Sequence, residues 1–229
     1  MRKIFNLKGT TKNVFNVEIE AEFNKHSNII IRIAEQLLAK EQRDFEIDRH
    51  NVLHFKFLLY FFNNCPEAEQ IFENEAYKNH KQIMLLGNVG VGKTFIMDVF
   101  GEYLKITNNS NKFEAVSITE LIDYYKLNNH LDEYTYNKLN QKNGHSTTAK
   151  HLCLHDLGLK THMHFGVDTK SFIDDFLYAR YELYCKYDIK THVTSNLSVE
   201  ELQKNFNFRL LDRFKAYNVI DLEGESRRK

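Results

Sequence analysis

The segment Gly87-Asn88-Val89-Gly90-Val91-Gly92-Lys93-Thr94 constrains this chain more than any other stretch. It satisfies G-x-x-x-x-G-K-[ST] at every fixed position. The apolar run Gln82–Leu86 leads into it, and a helical pattern from Lys93 to Leu104 leads out. A strand that turns on glycines into a helix aims a nest of backbone N–H groups, and the positive end of the helix dipole, at one point. That arrangement suits a triphosphate. Gly87, Asn88, Val89, Gly90, Val91 and Gly92 would cradle the phosphates, with Phe95 just beyond them. Lys93 would reach the β- and γ-phosphates, and the Thr94 hydroxyl would bind Mg2+. The expected cofactors are ATP and Mg2+, with the choice between ATP and GTP left open. A chance match in a glycine-bearing loop is the alternative, and the flanking strand and helix argue against it.

The rest of the sequence repeats the alternation of strand and helix. Phe113–Val116, Leu152–Leu154, Thr191–Thr194 and Val219–Leu222 read as further short strands. Between them lie helical patterns at Glu120–Leu127, Phe172–Tyr187, Ser198–Asn205 and Phe208–Phe214, with Thr119 and Thr169 as expected caps. Asn128–Lys150 is polar and reads as loop and helix. The alternation predicts an α/β three-layer sandwich, a parallel sheet covered on both faces. Ahead of the loop, Val14–Ile19 reads as a short strand. Ser27 or Asn28 would cap a helix over Ile29–Gln42, Asn51–Phe62 a second, and Pro66–Tyr77 a third segment. Residues 1–48 are thus expected as a small helical N-terminal extension, and 49–229 as the nucleotide-binding domain. A chain of 229 residues holds one such core with an appendage.

Charge narrows the partners. Lys and Arg total 31 and Asp and Glu total 31, so the chain carries no overall basic field. Contact with DNA must come from local patches or from an oligomer that concentrates them. Cys65, Cys153 and Cys185 form no CxxC, which fits a reducing compartment. The start has no apolar core of a signal peptide, and no run approaches the roughly 20 residues that cross a bilayer. A cytoplasmic protein without a membrane partner is expected. His145, His151, His155, His162 and His164 match no zinc spacing and read as solvated or locally paired. The aromatic stretch Phe55–Phe62 reads as core.

A phosphate-loop fold also needs a strand ending in an acid, to hold Mg2+ and polarise the attacking water. The candidate is His151-Leu152-Cys153-Leu154-His155-Asp156-Leu157-Gly158. It offers one carboxylate, Asp156, preceded by His155. Either His155 stands where a metal-shell acid would be, or the strand shifts and Asp156 serves the metal. In both registers one carboxylate does the work of two, so slow hydrolysis is expected unless another acid, such as Asp168, fills in.

Four segments together carry a family resemblance: Gly87–Thr94, Leu152–Gly158, Thr191–Leu202, and Phe208–Phe214 with the tail Asp221–Arg228. In their order and spacing the chain resembles AAA+ ATPases of the DnaC helicase-loader and IstB transposition-helper type, over roughly Asn51–Lys229. The resemblance implies a five-stranded parallel sheet in the order 5-1-4-3-2 and, with the sequence ending at Lys229, no C-terminal lid domain. It implies catalytic roles for Lys93, Asp156, Asn196, Arg209 and Arg213. Asn196 would orient water near the γ-phosphate, and Arg209 or Arg213 would complete a neighbouring subunit's site. Thr94 and Asp156 would hold the metal. It further implies a homo-oligomer around single-stranded DNA, acting on a replicative helicase. A transposase partner is one alternative, and a non-hydrolysing nucleotide-dependent adaptor another. The extension's helix would grip that partner or pack on the core. The basic tail Arg227–Lys229 would be solvated or touch nucleic acid, and in the resemblance Arg227 and Arg228 would partly replace the arginine of the absent lid.

Overall fold

The computed structural model describes residues 14–72, 76–135, 139–140, 145–146, 149–158 and 169–227. Asp168, His162 and His164 lie outside them, as does the side chain of His145. Five parallel strands form the main sheet: β1 (Gln82–Leu86), β2 (Phe113–Ser117), β3 (His151–Leu157), β4 (Thr191–Ser195) and β5 (Tyr217–Asp221). Their order is 2-3-4-1-5, which is the expected order read from the other edge. Every residue of β1 and β4 is buried. That is why neither shows the alternation of buried and exposed residues of a one-sided strand.

Helices cover both faces. Ile83 and Leu85 of β1 point into a core shared with α1 (Glu20–Ala39), α2 (Val52–Phe62) and α3 (Lys93–Ile106). Met84 and Leu86, offset by one residue, point the other way. They join α4 (Ile118–Asn128), α6 (Thr169–Tyr187), α7 (Val199–Asn205) and α8 (Phe208–Phe214). Between α4 and β3 the chain forms the single turn α5 (Asp132–Thr135) and a short antiparallel pair, Leu139–Asn140 with His145–Ser146. Under the far end of β3 and β4 sits Arg180 of α6, 1% exposed. It donates to Thr191 Oγ1 (2.7 Å) and to the carbonyls of Tyr134 (2.6 Å), Lys150 (2.8 Å) and Lys190 (3.1 Å).

The N-terminal region corrects the sequence reading. No strand forms over Val14–Ile19, and the helix expected at Ile29–Gln42 begins at Glu20 and ends at Ala39. Ser27 and Asn28 are interior residues of α1, not caps, and Ile19 at the true N-cap provides no side-chain bond. Tertiary contacts hold the first turns. His26 is 1% exposed, bonds the Tyr103 hydroxyl at 3.0 Å and lies 4.3 Å from the Phe15 ring. A polar residue at a core position hid the helical period. The apolar face of α1 packs on the core, through Ile30, Ile33 and Ala34. Elsewhere Ser117, not Thr119, caps α4, in a reciprocal capping box with Glu120. Helix α6 starts at Thr169 itself, Pro66–Tyr77 reduces to a 3-10 turn over Pro66–Gln70, and β3 extends beyond Leu152–Leu154 at both ends.

Candidate phosphate-binding site

The glycine loop lies between the buried end of β1 and the first turn of α3. Its curvature rests on positive φ at Gly87 (135°), Gly90 (88°) and Gly92 (106°). At Gly90 space adds to the backbone requirement: a Cβ there would stand 2.2 Å from Ser226 Oγ. Asn88 and Val89 at the crest are exposed, while Val91 anchors the loop in the core. Thr94 is half-buried on the first turn of α3. Phe95 is also half-buried, its ring 6.0 Å from that of Phe45.

Lys93 shows what the loop is arranged around. Its side chain is buried. The ammonium donates to Gly87 O, Asn88 O and Asn196 Oδ1, each at 2.7 Å. These three acceptors are neutral, and they hold the ammonium in position at the base of the loop. Asn196 reaches it because β4 is the direct neighbour of β1. Lys93, Thr94 and Asn196 therefore lie at one end of the sheet.

The tip of β3 carries His155 and Asp156. Cys153 belongs to the core on the α3 side, and His155, two residues on, faces that side too. His155 Nε2 lies 3.2 Å from Asp98 Oδ1 of α3, and Nδ1 lies 3.3 Å from Thr194 Oγ1. Burial opposes the imidazolium, but the Asp98 carboxylate and the Cys153 sulfur more than offset it. The result is a His155 pKa raised from 6.5 to about 10. Asp156 follows with φ at 60°, its N–H donating to Thr194 Oγ1 at 3.2 Å, and the β3–β4 register shifts there. So His155 occupies the inward position beside the loop's helix, and Asp156 stands half-buried at the bend.

Arg209 and Arg213 are elsewhere. Both lie on α8, and among the described residues no hydrogen bond or ion pair joins either to the loop. Arg209 is exposed. Arg213 stacks over Tyr178 and Tyr181, 4.5 and 5.1 Å from their ring centres, and donates to Arg209 O at 2.8 Å. Its Nε is buried without a hydrogen-bond partner.

Sequence reasoning missed Asp98 and, on the loop's outer side, Arg43 and Asp48, the groups that meet Arg227 of the basic tail. Asp98 carried a usable signal, since it falls one helical turn after Thr94 and so shares its face. The others come from distant parts of the chain. Among the described residues no cluster of three or more His, Cys, Asp or Glu side chains is placed to hold a metal. No helix there is long and apolar enough to cross a membrane.

No protein-family model matches the chain, and no curated protein matches it. Solved structures do. The crystal structure of the DnaC helicase loader matches with a TM-score of 0.50 at 16% identity, covering 78% of this chain and 93% of that one. AMPPCP-bound DnaA from Aquifex aeolicus matches with a TM-score of 0.49 at 16% identity, over 78% of this chain and 48% of its own. The replication initiator DnaA bound to AMPPCP and single-stranded DNA gives 0.49 at 17%, over 79% and 49%. This chain spans about half of each DnaA chain. The match to DnaC bears out the expected architecture: the chain shares the α/β fold of that helicase loader, with the five-stranded parallel sheet in the expected order.

Proposed function

We propose that this chain is an AAA+ protein of DNA replication that binds ATP with Mg2+ in the glycine loop and acts on a replicative helicase. The observation that carries the nucleotide reading is the loop: Gly87, Gly90 and Gly92 bend it at positive φ between β1 and α3, and two of its carbonyls and Asn196 fix the buried Lys93 ammonium at its base. A triphosphate seated on the loop amides would meet that ammonium.

The donor set suits Mg2+, which takes most of its oxygens from phosphates and water and one or two from protein. Thr94 and Asp156 would provide those. When bound, the ion would neutralise charge on the β- and γ-phosphates. Lys93 would turn from the carbonyls of Gly87 and Asn88 to the phosphates. Asn196, released from Lys93, would orient water toward the γ-phosphate, and Asp156 would accept its proton. His155 fills the inward position with a cation already paired to Asp98, so one carboxylate serves both metal and water. Slow hydrolysis follows.

Assembly supplies what one copy lacks. Phe208 is 82% exposed beside Arg209, and such a side chain suits a subunit contact. There Arg209, or Arg213 with its unused Nε–H, would reach a neighbour's phosphate in trans. Single-stranded DNA would bind the assembled ring, and residues 1–48 would form the partner-binding extension of the domain at 49–229. A second reading, a nucleotide-dependent adaptor without turnover, draws its support from His155.

The test measures binding of a fluorescent ATP and its turnover with and without single-stranded DNA. We expect Lys93→Ala to abolish binding, and Asn196→Ala, Arg209→Ala or Arg213→Ala to spare binding but lower turnover. Unimpaired ATP binding by Lys93→Ala would refute the site. Binding without any turnover would favour the adaptor, and affinity capture of a transposase in place of a helicase would redirect the partner assignment.

A further inference from the structure

The chain's last described residues touch the loop from outside. After β5 the backbone stays beside β1, with Leu222 N–H donating to Leu86 O at 2.9 Å. Ser226 packs against Gly90, and Arg227 N–H donates to Gly90 O at 2.9 Å. The Arg227 stem then passes Gly92, its Cδ 3.9 Å from where a Cβ on that residue would sit. The guanidinium carbon is two bonds further along, within reach of a phosphate seated on the loop. Here the group is turned away. Arg227 Nη2 donates to both oxygens of Asp48, at 3.1 and 2.8 Å, while the Arg43 guanidinium donates to the Arg227 carbonyl. Asp48 also accepts from His50 N–H (2.8 Å) and Asn51 N–H (3.2 Å). The same carboxylate thus holds the entrance to α2.

We propose that Arg227 is a second phosphate-binding cation of this site, which exchanges Asp48 for the nucleotide's phosphates when ATP binds and so unties residues 43–48 from the loop. The inference rests on the nucleotide reading above. Three features favour the exchange. A guanidinium fork fits phosphate as well as it fits carboxylate, and the triphosphate carries more charge than Asp48. The pair is exposed enough to be weak, with Arg227 33% and Asp48 30% accessible. The Arg227 main chain is fixed to Gly90, so only its side chain has to swing. Because residues 43–48 link α1 to α2, the exchange would report occupancy of the loop to the N-terminal segment.

The test uses the full chain with fluorescent ATP and Mg2+. We expect Arg227→Ala to weaken ATP binding on the order of tenfold, the loss expected for one charge-assisted contact. Arg227→Lys should recover part of it. Asp48→Asn, which keeps an acceptor for the α2 entrance, should tighten ATP a few-fold by removing the competitor, and the double variant should bind as Arg227→Ala does. Amide exchange across residues 43–51 should rise when ATP is added to the wild type and stay unchanged in Arg227→Ala. Tighter ATP binding by Arg227→Ala would mean that the tail obstructs the site. Equal affinities in all variants would mean that the pair is a structural tie only. Either result overturns the proposal. If Lys93→Ala also leaves binding intact, the site itself fails; if Lys93→Ala abolishes binding while Arg227→Ala does not weaken it, only this exchange fails.

Discussion

Replacing His155 by Asp would restore a second acid to the tip of β3, but the structure says that it cannot be done alone. The new carboxylate would face Asp98, now 3.2 Å from the imidazole. Unit charges at that separation interact by about 5 kcal/mol at an effective dielectric near 20. The Asp98 side chain is 43% exposed, and solvent screening brings the figure down to about 1–2 kcal/mol. Losing the attraction in Asp98→Asn should therefore cost about 1–2 kcal/mol. His155→Asp exchanges that attraction for a repulsion of similar size, for a cost of about 2–4 kcal/mol. With Asn at 98 the same exchange should cost far less, so the double-mutant cycle should show a coupling of about 2–4 kcal/mol. Urea unfolding of the four proteins, without metal or nucleotide at neutral pH, measures it. A coupling below about 0.5 kcal/mol would refute the electrostatic account of this pair. Only the double variant is expected to hydrolyse ATP faster than the wild type, because only there does the second acid stand free of Asp98.

Other substitutions probe the frame. Arg180→Ala leaves Thr191 and three carbonyls without their buried donor and should cost about 3–5 kcal/mol, lowering the melting temperature by roughly 10 °C; a drop of only a degree or two in calorimetry would contradict that. His192 is fully enclosed, and burial, with the nearby cations Lys190 and Arg180 among the further causes, holds its pKa well below 6.5. Only the unfolded chain can take that proton near pH 6, so the stability it supports is complete above pH 6.5 and falls on acidification, by about 1.4 kcal/mol at pH 5.5. His192→Gln should flatten that part of the pH–stability curve, and an unchanged slope would dismiss the assignment. Gly90→Ala combines a left-handed φ with a clash against Ser226 and should cost about 1–2 kcal/mol, partly recovered by Ser226→Ala; denaturant titration that shows no loss would count against the tail's position.

What could be read from the sequence was whatever depends on neighbours along the chain. The glycine loop, its strand and its helix are local, and so is the alternation of short strands with helices. The N-terminal helix did not, because its first turns are polar and His26 takes a core position through Tyr103, a residue far away in sequence. The His155 and Asp98 pair needed β3 to be laid across α3 before it could be seen. The same holds for Arg43, Asp48 and Arg227, which meet only because β5 returns beside β1. Arg209 and Arg213 could be named from pattern, yet the Tyr178 and Tyr181 rings under Arg213 belong to a helix whose packing no local spacing announces.

The position of the tail has a practical side. A reporter group attached at Ser226 or Arg227 would sit against Gly90 and Gly92, where it could crowd the loop, pull the backbone out of register or remove the Arg227 guanidinium. Preparations labelled there risk reporting a defect of the label as a property of the protein, and each should be compared with unlabelled material.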